Sequence, residues 1–407
     1  MKILLKNAKI LTLKNEKIID GEILVAGNKI AQIAQKINSK ADRVIDCEGN
    51  LLMPGFKNAH THSAMIFMRG FIKDAPLEIW LNKYVLPLEG RIQKGNVYHL
   101  TKLAYLEYLE SGITSVFEMY YYPEEIVKAS KDFGMRTLVL LSPYNTNLNK
   151  IKSINSKGLI SLTLGFHSLY TSREKDLKFV SKLSKKIKSP IYTHCSETIK
   201  EVNDSKRKNN LTPVENLNRL KLLNQGGGIF HGVHLNGKDI SILKKHNFYV
   251  CTCPSSNMKL HSGLAPIESL LKNKVMIAMG TDGASSKDPL DMTREMKIMS
   301  NKHSLKSFDI LKMATVNGAR FMNLNKCDVL AKGKLADIIM IDLHARNMKP
   351  SRGIINNLVC NATKDNVMMT MIDGKILYYK HKFYLKEDIK KIRRNANIVT
   401  NRLTRKK

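Results

Sequence analysis

The chain lacks the features that would mark a membrane or disulfide-held protein. Its apolar runs are short: Val275–Met279 is among the longest, whereas a bilayer span needs ~20 apolar residues in succession. The start has no long apolar stretch either, because Lys2, Lys6 and Lys9 interrupt it. No export signal and no membrane partner are expected. Six cysteines in 407 residues are too few for a disulfide framework, and the simplest setting is a reducing cytoplasm. Cys251 and Cys253 alternate in FYVCTCP as a buried strand would, and no second cysteine pair is present to close a zinc site with them. Acidic residues are scarce as well, 35 against 67 lysines and arginines, for a net charge of +32. So basic a surface can attract nucleic acid. The lysines are spread along the whole chain with no aromatic-interleaved basic motif, so no specific nucleic-acid partner is expected.

The length suffices for one barrel of ~250 residues plus a smaller domain. Met1–Asn50 has the alternation and turns of short strands, and similar segments return in LADIIMIDL and VMMTMID. Neither piece can bury a core alone, so the two are expected to join in one β-sandwich. Between them strands and amphipathic helices alternate. Strands are expected at Leu51–His62, Ile113–Met119, Arg136–Ser142, Leu162–Ser168, Ile191–Glu197, Gly228–Leu235, Phe248–Pro254 and Val275–Asp282. Helices are expected at Asn96–Glu110, Pro123–Phe133, Glu174–Lys186, Pro213–Leu223, Gly237–His246, Ile267–Lys272 and Phe308–Met322. Eight such repeats predict an α/β chain with a (β/α)8 TIM barrel. The expected division is 1–53 and 331–380 for the sandwich, 54–330 for the barrel and 381–407 for a basic tail.

Barrel enzymes carry their chemistry at the C-terminal ends of the strands, and the ionisable residues collect there. His60 and His62, two apart on an extended chain, face the same way. Glu118, His167, His194 with Glu197, His231 and Asp282 come from later strands. His60, His62 and His194 offer three neutral nitrogens and Asp282 a carboxylate, which would hold one divalent metal and leave a position open for water. Such a metal lowers the pKa of water toward ~7. Glu197 is placed to shuttle a proton and His231 to polarise water or a developing oxyanion. His99, His234, His246, His261 and His303 are read as structural.

The segments PGFKNAHTH, LEIWL, LPLEGR, DFGMR, HCSET, HGVHL, CPSSNMKLHSGLAPI and GTDGASS together resemble the amidohydrolase superfamily, and within it the methylthioadenosine/S-adenosylhomocysteine deaminases, relatives of the triazine chlorohydrolases. The resemblance implies one metal, zinc with iron as the alternative, on His60, His62, His194 and Asp282. It implies that Glu197 protonates the purine ring, that Asp282 moves a proton to the departing ammonia, and that His231 steadies the attacking oxygen. It further implies a small nucleoside as partner, with Glu89 binding ribose hydroxyls, His167 contacting the purine and Trp80, the single tryptophan, lying near the nucleoside. It leaves room for a homo-oligomer.

The chain departs from the resemblance where adenosylhomocysteine deaminases carry arginines for the amino-acid carboxylate. Leu141 stands near the first such place, no arginine occurs from Leu141 to Lys157, and Lys150 and Lys152 are the nearest substitutes. Lys287-Asp288 also follows GTDGASS where relatives have asparagines. The competing expectations are hydrolysis of another nitrogen heterocycle (guanine, cytosine or a triazine) and a nucleic-acid-binding or scaffold protein on a retained barrel.

Overall fold

The computed structural model describes residues 1–72, 75–142, 158–286 and 289–405. Eight parallel strands pair in chain order: Phe56–Thr61, Ile113–Glu118, Arg136–Leu141, Ile160–Gly165, Ile191–Cys195, Gly227–His231, Phe248–Thr252 and Ile277–Met279. The chain closes the ring just past the eighth strand, where the Asp282 N–H donates to the His60 carbonyl at 3.0 Å and the Thr281 N–H to Asn58 Oδ1 at 2.9 Å. Gly280 permits this approach, because a Cβ there would lie 2.7 Å from the His60 nitrogen. Ala59, Phe117, Leu140, Tyr192, Phe230 and Cys251 pack within the barrel, and Phe321 and Met322 join them. Phe321 abuts Gly228 near the start of the sixth strand and accepts a hydrogen bond from the Tyr192 hydroxyl at 2.6 Å. With one end filled by apolar side chains, chemistry is confined to the other.

The surrounding helices start and stop on local signals. Pro123–Phe133 has its proline in the first turn, where no amide hydrogen is needed, and ends at Gly134 with φ 89°. It buries Ile126, Val127, Ala129, Ser130 and Phe133 against the barrel. The expected helix Phe308–Met322 is instead two, Ser307–Met313 and Val316–Phe321, broken at Thr315 with φ −135° and ψ −90°. Among the described residues no helix is long and apolar enough to cross a membrane.

The second sheet has nine strands. Lys2–Leu11, Ile18–Ala26, Lys29–Ala34, Arg43–Asp46 and Leu51–Pro54 precede the barrel, and Ile338–Ile341, Val367–Ile372, Lys375–Tyr379 and Lys382–Phe383 follow it. The expected sandwich is, in hydrogen-bond order, one continuous sheet with its own core of Ile3, Leu5, Ile10, Ile23, Leu52 and Met340 among others. Leu51–Pro54 lies inside it, parallel to Lys2–Leu11 and antiparallel to Ile338–Ile341. Leu51, Met53, Ile339 and Ile341 face the cluster shared with the barrel helices, while Leu52, Ile338 and Met340 face the sheet's own core. Burial on both faces explains why LLMP and IIMI are unbroken apolar runs.

Two further expectations are corrected. Leu51–His62 is not one strand: it divides at Gly55 between the two sheets, and a Cβ at Gly55 would lie 2.1 Å from Thr114 Cγ2. The basic segment 381–407 is not a tail. It contains the strand Lys382–Phe383 and the helix Ile389–Thr404, which buries Ile392, Ala396, Val399 and Leu403. These spacings of four, three and four make one helical face, which packs on the helices Lys94–Glu110 and Ser63–Met68. Arg91 Nη1 donates to the carbonyls of Leu403 and Arg405 at 3.0 and 3.1 Å.

Removing Met1–Ile45 would strip Leu51–Pro54 of its parallel partner and expose the sheet core. The truncated chain is expected to aggregate, as read by size-exclusion chromatography and binding of an apolar dye; a soluble, active truncation would show that the two segments do not share a core.

Candidate active site

His60 ends the inward face of the first strand, wholly buried, with its ring stacked 3.9 Å from that of Phe230. The His62 and His194 rings lie 4.7 and 4.8 Å from it between centroids, and His231 lies 5.3 Å from His194. Asp282 Oδ1 stands 3.6 Å from His60 Nε2 and 3.4 Å from His62 Nε2. Two sets of ligand atoms, His60-His62-Asp282 and His60-His194-His231, each fall within 4.8 Å of one another. Side chains from four strand ends thus converge on one point, and no cysteine belongs to either set.

The surroundings orient these groups. His62 Nδ1 is bonded to the Met119 carbonyl at 2.5 Å and His194 Nδ1 to the His167 carbonyl at 2.8 Å. A carbonyl only accepts, so each Nδ1 carries the hydrogen and each Nε2 keeps its lone pair. Asp282 Oδ2 accepts from the Ser256 and Ser286 hydroxyls at 2.5 and 3.0 Å, which leaves Oδ1 toward the imidazoles. Neither nitrogen of His60 has a hydrogen-bond partner among the described residues. A buried, unpartnered imidazole is costly, and a divalent cation is the group that would satisfy it.

The electrostatics fit the same group. Burial first, then the neighbouring imidazoles, hold His60 and His194 well below the ordinary histidine value. Both therefore present neutral nitrogens, the form that binds metal. Burial would raise the Asp282 carboxyl, yet His62, His231 and the Ser256 hydroxyl hold it below the usual range. Ser196, His231 and Asp282 adopt left-handed backbone angles, with φ 54°, 69° and 58°. Non-glycine residues seldom do so, and such strain collects at functional sites.

Glu197 is buried, and its Oε1 lies 3.8 Å from His231 Nδ1. Burial, opposed by His231 and aided by Asp282 and Glu201, pushes its carboxyl up to about 7. A group with that value can both give and take a proton near neutrality. The Glu197 N–H donates to Glu201 Oε2 at 2.8 Å, so Glu201 fixes the backbone from which it projects.

The other sequence candidates lie farther out. His167 is exposed, its ring 4.7 Å from that of His194, with Nδ1 held by the Ser168 and Thr171 hydroxyls. Trp80 is buried on a helical segment after the first strand and donates from its indole to the Ser285 carbonyl at 3.3 Å. Glu89 receives the Tyr121 hydroxyl at 3.4 Å, and burial pushes its carboxyl up to about 7 against the pull of Tyr120 and Tyr121. Neither Trp80 nor Glu89 hydrogen-bonds a member of the histidine cluster among the described residues. Glu118 stays out of the cluster as well. It is buried, bonded to Ser63, and pushed up to about 8 by burial. His234 bonds the Ser262 carbonyl at 2.9 Å. Lys150, Lys152, most of Leu141–Lys157, and Lys287-Asp288 lie outside the described residues.

Ser256, Asn257, Glu201 and Ser286 have no role legible in the sequence. The first two sit in CPSSNMKL and the last in GTDGASS, so the motifs held the signal, but single residues in them could not be paired with partners on other strands.

The sequence profile of the amidohydrolase family matches residues 51–377. A protein of Thermococcus sibiricus named 5-methylthioadenosine/S-adenosylhomocysteine deaminase is 36% identical over 399 residues, covering 93% of this chain and 94% of its own. A protein of Methanobrevibacter smithii named 5'-deoxyadenosine deaminase is 35% identical over 405 residues, with 93% of each chain covered. The crystal structure of an adenosine deaminase from Xanthomonas campestris with bound zinc superposes with a TM-score of 0.93, at 26% identity and 98% coverage of both chains.

Proposed function

The chain belongs to the amidohydrolase family and is a hydrolytic deaminase, and within that class we propose that it acts on adenosine-type nucleosides whose 5′ group is small and uncharged. Water and the nucleoside would give ammonia and the inosine analogue. The observation that carries this reading is His60, a buried imidazole with no partner for either nitrogen, ringed by His62, His194 and Asp282 with Glu197 alongside. The names of the relatives from Thermococcus sibiricus and Methanobrevibacter smithii support the nucleoside.

His60, His62, His194 and Asp282 would hold a divalent cation, zinc with iron as the alternative, which would supply the charge that makes water nucleophilic near neutral pH. Zinc is favoured by the zinc-bound neighbour and by the nitrogen-rich donor set. Glu197 then gives its proton to the ring nitrogen beside the carbon that water attacks. Asp282 accepts the proton that water releases and passes it to the leaving amine. His231 faces the attacking oxygen and polarises the water. Glu89 accepts from the ribose hydroxyls, His167 contacts the base and Trp80 packs near the nucleoside. All six cysteines are free thiols, which suits a cytoplasmic enzyme.

The choice of 5′ group rests on missing arginines. A carboxylate on the 5′ tail must be paired if it is covered, since an unpaired buried charge is costly. Leu141 packs its side chain into the cluster shared with the outer helices and provides no cation. A charged hydrogen bond is worth roughly 1.5–3 kcal/mol, about 10- to 150-fold in specificity. Methylthioadenosine, 5′-deoxyadenosine or adenosine is therefore expected to show a higher kcat/KM than adenosylhomocysteine. Ammonia release from this panel, with metal content measured on the same preparation, is the test. No ammonia from any adenosine by metal-loaded protein would end the nucleoside reading, and a clear preference for adenosylhomocysteine would end the argument from the 5′ group.

A further inference from the structure

The motif CPSSNMKL is distinguished in the sequence, yet the proposed chemistry gives it no role. It forms the short helix Pro254–Lys259 directly after the seventh barrel strand. Two adjacent buried side chains of that helix reach Asp282, which moves a proton, and His231, which faces the attacking oxygen. Ser256 Oγ donates to Asp282 Oδ2 at 2.5 Å, and Asn257 Oδ1 lies 2.7 Å from His231 Nδ1.

We propose that Asn257 is a positioning residue that sets the tautomer of His231, placing the hydrogen on Nδ1 and leaving Nε2 as the bare nitrogen. An amide oxygen only accepts, so the imidazole nitrogen facing it carries the hydrogen, and in neutral imidazole the other nitrogen then carries none. The backbone under Asn257 is fixed. Its N–H donates to the Cys253 carbonyl at 2.9 Å, and its carbonyl accepts from the N–H groups of Ser262 and Gly263 at 2.8 and 3.3 Å. The amide nitrogen of Asn257 has no hydrogen-bond partner among the described residues. The contact with His231 is therefore the one hydrogen bond that orients the amide. The same helix, through Ser256, turns Asp282 Oδ1 toward the histidines. One helical turn thus orients both Asp282 and His231.

The test reads the tautomer itself. Chelated, metal-free protein carrying nitrogen-15 histidine gives a long-range proton–nitrogen spectrum of its twelve histidines, and the His231 signals are those lost in His231→Asn. Wild type and Asn257→Asp, which keeps an acceptor oxygen, are expected to show hydrogen on Nδ1. Asn257→Leu is expected to show hydrogen on Nε2 or a mixture. In the metal-loaded enzyme Asn257→Leu should lose about 10- to 100-fold in kcat, as removal of such outer partners does elsewhere, with KM and metal content unchanged, and Asn257→Asp should keep most of the rate. A wild-type His231 with hydrogen on Nε2, or an Asn257→Leu spectrum identical to wild type, would overturn the proposal. If Asn257→Leu does not fold, the wild-type and Asn257→Asp spectra still decide. The kinetic arm rests on the deaminase reading, but the spectra do not, so a protein inactive on every adenosine would end that reading and leave this one to the tautomer.

Discussion

Glu197→Gln is expected to keep its metal and its fold and to lose deamination by at least ~10²–10⁴, the usual contribution of a general acid–base group. The glutamine occupies the same volume, and the backbone N–H that binds Glu201 is untouched. What disappears is a carboxyl able to give a proton to the ring nitrogen and recover one. The pH dependence of stability gives an independent check on the chelated protein. The folded pKa of Glu197 is raised to about 7, so whatever stability the protonated group contributes is fully present below the ordinary carboxylate value and is lost as pH rises through the folded one. Glutamine has no charge to bury, so the variant's thermal midpoint should gain on wild type as pH rises from 5 to 8. Near-full turnover would return Glu197 to a structural role, and parallel melting curves would show that its carboxyl is not held protonated.

The second large effect concerns stability. Asp337 is fully buried and takes a two-pronged contact from Arg136, Nε to Oδ2 at 2.6 Å and Nη2 to Oδ1 at 2.9 Å. Its Oδ1 also accepts the Asp373 N–H at 2.8 Å, and the wholly buried Lys57 ammonium stands 4.0 Å from Oδ2. Arg136 and Lys57 belong to barrel strands and Asp337 to the approach of a sheet strand, so the cluster joins the two units. Asp337→Leu leaves the wholly buried Lys57 without its counter-charge and Arg136 with only the partly exposed Asp373, whose Oδ1 is 3.1 Å from Nη2. Breaking such a pair costs about 3–5 kcal/mol, enough for a large fall in thermal midpoint by calorimetry. Adding Arg136→Met should recover part of the loss, because the stranded charge rather than the lost attraction is the main cost; no recovery would refute that account. Burial raises the Asp337 carboxyl, but Arg136 and Lys57 outweigh it and hold the pKa below its ordinary value. The contribution is therefore complete above ~3.9 and disappears as pH falls through the depressed value.

The parts legible in the sequence were those written in local pattern. Pro123–Phe133 and Ile267–Lys272 carry their own start and stop signals and were placed to the residue. The eight strands were found as apolar runs, although His62, Glu197 and Asp282 sit just past the strands rather than within them. Ile389–Thr404 was missed because its lysines and arginines hide an apolar stripe only four residues long. Ile199–Asn209 was missed for a similar reason, since it buries only Glu201 and Val202. The histidines were conspicuous as residue types. Their partners were not, because Ser256 and Asn257 look like any turn residues until Asp282 and His231 arrive from other strands.

The pairing of Leu51–Pro54 between Lys2–Leu11 and Ile338–Ile341 bears on how the protein is made. During synthesis one flank of Leu51–Pro54 can be covered almost at once, whereas the other waits for nearly 290 further residues. Contacts so distant in sequence form slowly, and an open strand edge can recruit a neighbouring nascent chain meanwhile. The barrel can assemble in the interval, since its strands pair with their immediate successors. The sheet cannot be completed until translation has passed Phe383, so ribosomes stalled between the eighth barrel strand and Ile338 should yield chains with a formed barrel and a sticky flank, the species most dependent on chaperones.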